Sequence, residues 1–218
     1  MCLRSVLLAL LTCLPGFAAA DGWEVSAGRG SSHHLRHAGG ALYTSFFGEP
    51  PGTGDDFGLS DLTSQPGGVA VDAASHWALR RSGTLHEGGA RLRYSVGLEH
   101  GRARIDLPGG LGIFTDPALA RVESWTLEAR LIADSPPLRL GRAELRHGAE
   151  IGALATRYRA RLTSALLDIR TDASMATPFV GLGITLSTTA APRMGLRAGG
   201  RAYGNGGREA RLELFAGF

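Results

Sequence analysis

Along most of the chain apolar and polar residues alternate with a period of two, which predicts strands rather than helices. The last segment is the clearest: Ala210, Leu212, Leu214, Ala216 and Phe218 share one face, and Glu209, Arg211 and Glu213 the other. Trp23, Val25 and Ala27 begin the series. Val69, Val71, Ala73, Trp77 and Leu79 stand opposite Asp72, His76 and Arg80. Leu92, Tyr94, Val96 and Leu98 oppose Arg91, Arg93 and Glu99. Trp125, Leu127, Ala129, Leu131 and Ala133 oppose Thr126, Glu128 and Arg130. Ala143 and Leu145 oppose Arg142, Glu144 and Arg146, while Tyr158, Ala160, Leu162 and Leu166 oppose Arg157, Arg159 and Arg161. Val180, Leu182, Ile184 and Leu186 follow, then Met194, Leu196 and Ala198 against Arg197 and Arg201.

The phase slips near Gly101, near Gly141 and after Leu166, where a one-residue bulge would restore the facing. Turn signals lie at 134–137, 171–178 and 205–207, and the stretches 31–68 and 105–121 read as loops. A strand over 42–47 is weakly indicated. The tally gives nine clear strands and one doubtful one. A closed bacterial barrel takes an even number, so eight is the first expectation and ten the alternative. Eight requires one of the segments not to be a separate barrel strand.

An apolar face on nearly every strand, backed by Arg, Glu and Asp, predicts an all-β, closed antiparallel transmembrane β-barrel with lipid outside and charge within. A soluble sandwich or lipocalin-like barrel would bury the apolar face and would rarely stack charges on the opposite one. Closure is what hydrocarbon demands, because each unpaired backbone group there costs several kcal/mol. Trp23, Trp77, Trp125 and Tyr158 are expected on the outer face as headgroup-level anchors.

The ends and the composition place such a barrel. Arg4, the apolar run 6–14 and Ala18, Ala19 and Ala20 predict a cleavable signal peptide over residues 1–20, with the barrel domain over 21–218. A lipidated Cys13 is the weaker alternative, since Thr12 fits that pattern poorly. Cys2 and Cys13 fall in the leader, so a mature chain has neither disulfide nor thiol chemistry. All 23 basic residues are arginine. They alternate with acids along strands rather than clustering on a helix, which argues against a nucleic-acid partner despite a pI near 9.3.

Pro178, Phe179, Val180, Gly181, Leu182, Gly183 and Ile184 resemble a strand opening of small OmpA-like outer-membrane barrels. Leu212 to Phe218 is similar to the terminal-strand signal of that class, with Phe218 as the insertion signal. The resemblance implies the outer membrane of a Gram-negative bacterium, contact with its lipid, and delivery by periplasmic chaperones and the barrel-assembly machinery. It implies no reaction and no cofactor.

The strongest chemical constellation is the expected lumen ladder: Arg91, Arg93, Glu99, Glu128, Arg130, Arg142, Glu144, Arg146, Arg157, Arg159 and Arg161, joined by Asp72, Arg197, Arg201, Glu209, Arg211 and Glu213. An eight-stranded interior barely holds its side chains, so these charges must pair. If they did not, their arginine excess would suit a narrow anion-preferring pore. His33, His34 and His37 are weak candidates for a transition metal. His76 and His147 read as packing or lumen residues. Catalysis on lipid A or phospholipid would need a serine within reach of a base. The nearest material is Ser75 beside His76, and Ser124 with Glu123 or Glu128, and strand neighbours point to opposite faces. Gly28 and Gly30, or Gly109, Gly110 and Gly112, precede no helix and are turn glycines, not a phosphate loop. The expected role is therefore envelope structure or surface contact through the loops at 31–68 and 105–121. Lipid modification and anion conduction are the alternatives.

Overall fold

The computed structural model describes residues 20–30, 70–71, 74–88, 90–107, 116–166, 168–204 and 206–218. The expectations at 1–19, His33, His34, His37, 42–47, Asp72 and Gly109 to Gly112 lie outside these. The described residues form ten strands: β1 (Ala20–Gly30), β2 (Ala70–Val71), β3 (Ala74–Glu87), β4 (Arg91–Leu107), β5 (Ala118–Asp134), β6 (Leu138–Leu140), β7 (Ala143–Thr163), β8 (Asp168–Thr188), β9 (Arg193–Tyr203) and β10 (Arg208–Gly217).

Eight of them form a closed antiparallel ring in the order β1, β3, β4, β5, β7, β8, β9, β10, and β10 pairs back onto β1. The two-residue β2 pairs with β4, and β6 makes a short hairpin with the start of β7. The eight-strand expectation holds for a specific reason. The predicted segments around 143–145 and 158–166 are the two ends of one 21-residue strand, β7.

The ring closes where β1 meets β10. Trp23 and Phe218 exchange both backbone hydrogen bonds, at 3.1 and 2.9 Å. A Cβ on Gly22 would collide with the Phe218 carbonyl, so the seam needs glycine there. The start of β1, the last residue Phe218 and the turns at 135–142 and 189–192 lie at one end of the barrel, the terminal end, as do the end of β3 and the start of β4. The final residues of β1, β4, β7 and β9 lie at the other, the loop end.

The strands differ greatly in length. β9 and β10 have 11 and 10 residues, whereas β4 and β5 have 17 each and β7 and β8 have 21 each. One wall therefore rises past the rest at the loop end. Along that rise the facing inverts. Near the terminal end Leu182 and Leu214 are 72 % and 66 % exposed on the outside, while Arg80 and Glu99 are buried inside. Near the loop end Val122, Tyr158, Ala160 and Leu162 are buried inside, and Arg121, Glu123, Arg157, Arg159 and Arg161 are exposed outside.

The structure departs from four expectations. No bulge sits at Gly101: β4 pairs with β5 residue by residue from Arg91 to Leu107, and the slip is the inversion itself. Residues 171–178 are not a turn but part of β8; their small polar residues line an ordinary strand, and the break between strands falls earlier, after Thr163 and before Asp168. Residues 105–107 and 118–121 belong to β4 and β5 rather than to a loop. Tyr158 points inward, so it is no outer anchor.

Candidate functional site: a compensated charge network in the lumen

Even-numbered residues of β1 from Gly22, of β3 as far as Thr84, and of β5 and β7 face inward, as do odd-numbered residues of β4, β8, β9 and β10, because registered pairs share a face. That parity gathers Arg80, Arg130, Arg197, Arg201 and Arg211 against Glu24, Glu99, Glu128, Glu150, Glu209 and Glu213. Gly97 stands opposite Arg80, and a Cβ there would overlap the arginine stem, so this glycine opens the space that Arg80 fills.

Arg80 is the hub. Its Nη1 donates to Ser26 Oγ at 2.5 Å, and its Nη2 donates to Glu99 Oε2 and Glu213 Oε1, each at 3.1 Å. Arg211 donates to both Glu99 oxygens at 2.7 and 2.9 Å. Arg201 donates to Glu128 at 2.5 and 3.2 Å and to Glu150 at 2.5 Å. Arg130 pairs with Glu150 at 2.8 Å and Glu128 at 3.3 Å. Arg197 donates to both Glu24 oxygens at 2.9 Å. Tyr203 donates to Glu209, and His76 Nε2 lies 3.0 Å from Glu213. Five guanidinium groups against six carboxylates, each within reach of several partners, is a nearly neutral mesh. Arginine suits it because its planar fork bonds two carboxylates at once.

Rings cover this mesh. Phe179 lies under the Arg201 guanidinium at 4.3 Å, and Phe215 beside that of Arg197 at 4.8 Å. Towards the loop end Leu154, Phe179 and Tyr203 pack together with Met175 against them. Above these come the inward apolar residues of the rising wall. Towards the terminal end a cavity of about 50 Å³ borders Arg93, Arg130, Asp134, Glu150, Arg197 and Arg201. That volume holds a few waters at most. The lumen thus runs from a polar mouth through a charge mesh to an apolar plug.

The mouth contains the remaining expected residues. Arg93 donates to Asp134 at 2.6 Å, Arg146 to Glu144 at 3.2 Å, and Arg91 to Thr84 at 2.5 Å. Arg193 also pairs with Glu144. So Arg91, Arg93, Glu99, Glu128, Arg130, Glu144 and Arg146 face the lumen. Four of the expected ladder do not. Arg142 lies exposed in the β6–β7 turn, where its carbonyl accepts from Thr189. Arg157, Arg159 and Arg161 point outward, because β7 runs unbroken and their parity is opposite to that of Glu144 and Glu150.

Sequence reading passed over Glu24, Arg80, Asp134 and Glu150 as network members. Parity was the signal available: Glu150 falls in step with Glu144, and Arg80 with His76. His147, expected in the packing or the lumen, is exposed on the outside. Ser75 and His76 face opposite ways. Ser124 is buried inside while Glu123 is outside, and Glu128, on the same inward face, stands four strand residues away at about 13 Å in the grip of Arg201 and Arg130, so none of the suggested pairings forms a serine–base unit. Ser26, the hydroxyl at the hub, is held by Arg80, which cannot act as a base. Among the described residues no group of three or more His, Cys, Asp or Glu is placed to hold a metal ion.

Outside the barrel His100 sits between two indoles, 5.8 Å from Trp77 and 4.5 Å from Trp125 by ring centroids. Trp77 and Trp125 meet edge to face at 5.7 Å. This aromatic row lies where the outer surface changes from apolar to charged.

No family model matches the chain, and no curated protein matches it. Among solved structures it is similar to the crystal structure of Neisserial surface protein A, at 16 % identity and a TM-score of 0.36, over 91 % of this chain and 97 % of that one. The overlay is loose, and the barrel assignment rests on the chain's own strand pairing.

Proposed function

We propose that the protein is an outer-membrane β-barrel of a Gram-negative envelope, non-conducting and non-enzymatic, that raises a folded wall into the water beyond the loop-end leaflet. In this reading residues 1–20 are the leader, and the OmpA-like patch at 178–184 begins the lipid-facing part of β8. The inversion of facing carries the proposal. A water-soluble barrel has no reason to expose Leu182, Val180, Ile184 and Leu214 beside an inner mesh of ion pairs. A barrel that leaves hydrocarbon for water part-way along its strands must change its outer residues at that level.

The dimensions agree. Ten residues tilted by about 45° cross the apolar layer, which matches β9 and β10. A 21-residue strand at ~3.3 Å per residue and the same tilt rises about 49 Å, roughly 20 Å more than a ~30 Å core needs. That excess is the wall of β4, β5, β7 and β8, a surface available for contact with the envelope or its surroundings. The compensated mesh and the apolar plug speak against anion conduction, and the separated serines against lipid hydrolysis.

The test uses the absence of cysteine from residues 21–218. Ser164→Cys at the loop end is expected to react with a membrane-impermeant maleimide on intact cells, and Ser135→Cys only after lysis. Equal labelling of both in intact cells, or of neither after lysis, contradicts the placement. Purified protein is expected to give no conductance steps in planar bilayers and to leave lipid A mass spectra unchanged.

A further inference from the structure

The outward face of the rising wall carries four arginines in one hydrogen-bonded row. Arg104 of β4 is opposite Arg121 of β5, Arg121 is opposite Arg161 of β7, and Arg161 is opposite Arg170 of β8. All four are exposed. Like charges directly opposite each other on antiparallel strands are unfavourable, and here that arrangement occurs three times in succession. The adjoining row towards the terminal end is an internal contrast. It reads Arg102, Glu123, Arg159 and Asp172 across the same four strands, with alternating sign. Arg102 is 3.2 Å from Glu123, and Arg159 is 3.7 Å from Asp172.

Carboxylates near the arginine row compensate it only in part. Arg104 donates to Asp106 at 3.0 and 3.2 Å, and Arg161 to both oxygens of Asp168 at 2.8 Å, with Arg170 at 3.5 Å from the same group. Arg121 has no ion pair with another described residue. Arg104 and Arg121 also border a surface cleft of about 550 Å³ shared with Arg29, Ser75, Arg102 and Glu123. Four guanidinium groups against two carboxylates, spaced at the ~4.8 Å of neighbouring strands, suit a ligand that offers several anionic oxygens side by side. Guanidinium groups bind phosphate oxygens in this bidentate manner.

The height of the row selects the ligand. It lies four residues along the strands beyond the aromatic row of Trp77, His100 and Trp125, about 9 Å along the barrel axis at a ~45° tilt. Aromatic rows mark the headgroup level. We propose that this arginine row binds a lipid whose bulky headgroup bears more than one phosphate, standing in the loop-end leaflet against the wall. The inference rests on the membrane placement proposed above. The binding face is β4–β5–β7–β8, and the alternating row beneath it leaves Arg102 and Arg159 already paired.

Native mass spectrometry of the detergent-solubilised full barrel tests this, with bisphosphorylated lipid A, the same lipid stripped of its phosphates, and inorganic phosphate as probes. The wild type is expected to retain the bisphosphorylated lipid at least tenfold better than the stripped one. R121Q/R161Q should lose about tenfold of that retention, and R159Q, in the alternating row and outside the cleft, less than twofold. Equal retention of the two lipids, an unchanged double variant, or displacement by an equal concentration of inorganic phosphate would overturn the proposal; the last would show a simple anion site. A heat-shifted gel band reports folding of each variant. If cysteine labelling fails to place the barrel in a membrane, the placement is wrong. If it succeeds while the lipids are not distinguished, only the headgroup site is wrong.

Discussion

The terminal-end half of the barrel and its loop-end wall are the same sheet with its faces exchanged. In the lower half Leu182, Leu214 and Ile151 are outside, and Arg80, Glu99 and Glu213 are inside. In the wall Arg121, Arg159 and Arg161 are outside, and Val122, Ala160 and Leu162 are inside. Backbone pairing is continuous from one to the other along β4, β5, β7 and β8. Strand pairing therefore sets the shape, while the medium around each level sets which residues may stand outside. Each half solves the opposite problem: charge hidden by mutual pairing in one, grease hidden by packing in the other.

The comparison can be broken most forcefully at the hub. Arg80→Ala or Glu213→Ala leaves buried charges without partners and should cost about 3–5 kcal/mol, read from urea unfolding in detergent micelles. The exposed wall pair Arg161–Asp168 is screened by water, and Arg161→Ala should leave the urea midpoint nearly unchanged under the same assay. Comparable costs would remove the distinction between the halves.

Outward substitutions come next. Leu182→Arg should cost about 2–4 kcal/mol if that position lies at the midplane, whereas Arg159→Leu on the wall should stay within about 0.5 kcal/mol, as surface changes do. A third substitution sharpens the seam. Gly22→Val should slow the gel shift from unfolded to folded barrel, because its side chain displaces the Phe218 carbonyl that closes the ring.

The smallest effect is one of pH. Asp168, at the tip of β8 beyond the apolar layer, has its carboxyl held below the usual value of 3.8 by hydrogen bonds from Arg161. A depressed carboxylate stabilises the fold above its ordinary pKa and loses that contribution as pH falls through the lowered value. Hydrogen exchange at the 161–170 hairpin should therefore rise slightly only in strong acid. A rise near neutrality would point to a different partner for Asp168.

The barrel was legible because period-two alternation survives in both halves. Its strand count was legible once 143–145 and 158–166 were seen as one strand, but the weakly patterned centre of β7, with Gly148, Gly152 and several alanines, hid that continuity. Alternation reports that two faces differ, not which face is out. Taking the apolar face as outer on every strand puts Arg157, Arg159 and Arg161 in the lumen opposite Tyr158, Ala160 and Leu162, although the medium outside them differs. Small polar residues at 171–178 imitated a turn because a strand flanked by water tolerates them. Arg80 and Glu99 are diagonal neighbours on one hairpin, but Arg80 and Glu213, 133 residues apart, meet only because β1 pairs with β10 to close the ring.

Spin labels placed singly on the outward positions of β7 test the central claim most directly, by comparing collisions with oxygen and with a water-soluble nickel complex in lipid vesicles. Labels at Ala149, Ile151, Ala153 and Ala155 should meet oxygen preferentially, and those at Arg157, Arg159 and Arg161 the nickel complex, with the crossover between 155 and 157. Nickel access at Ile151 equal to that at Arg161 would contradict the account.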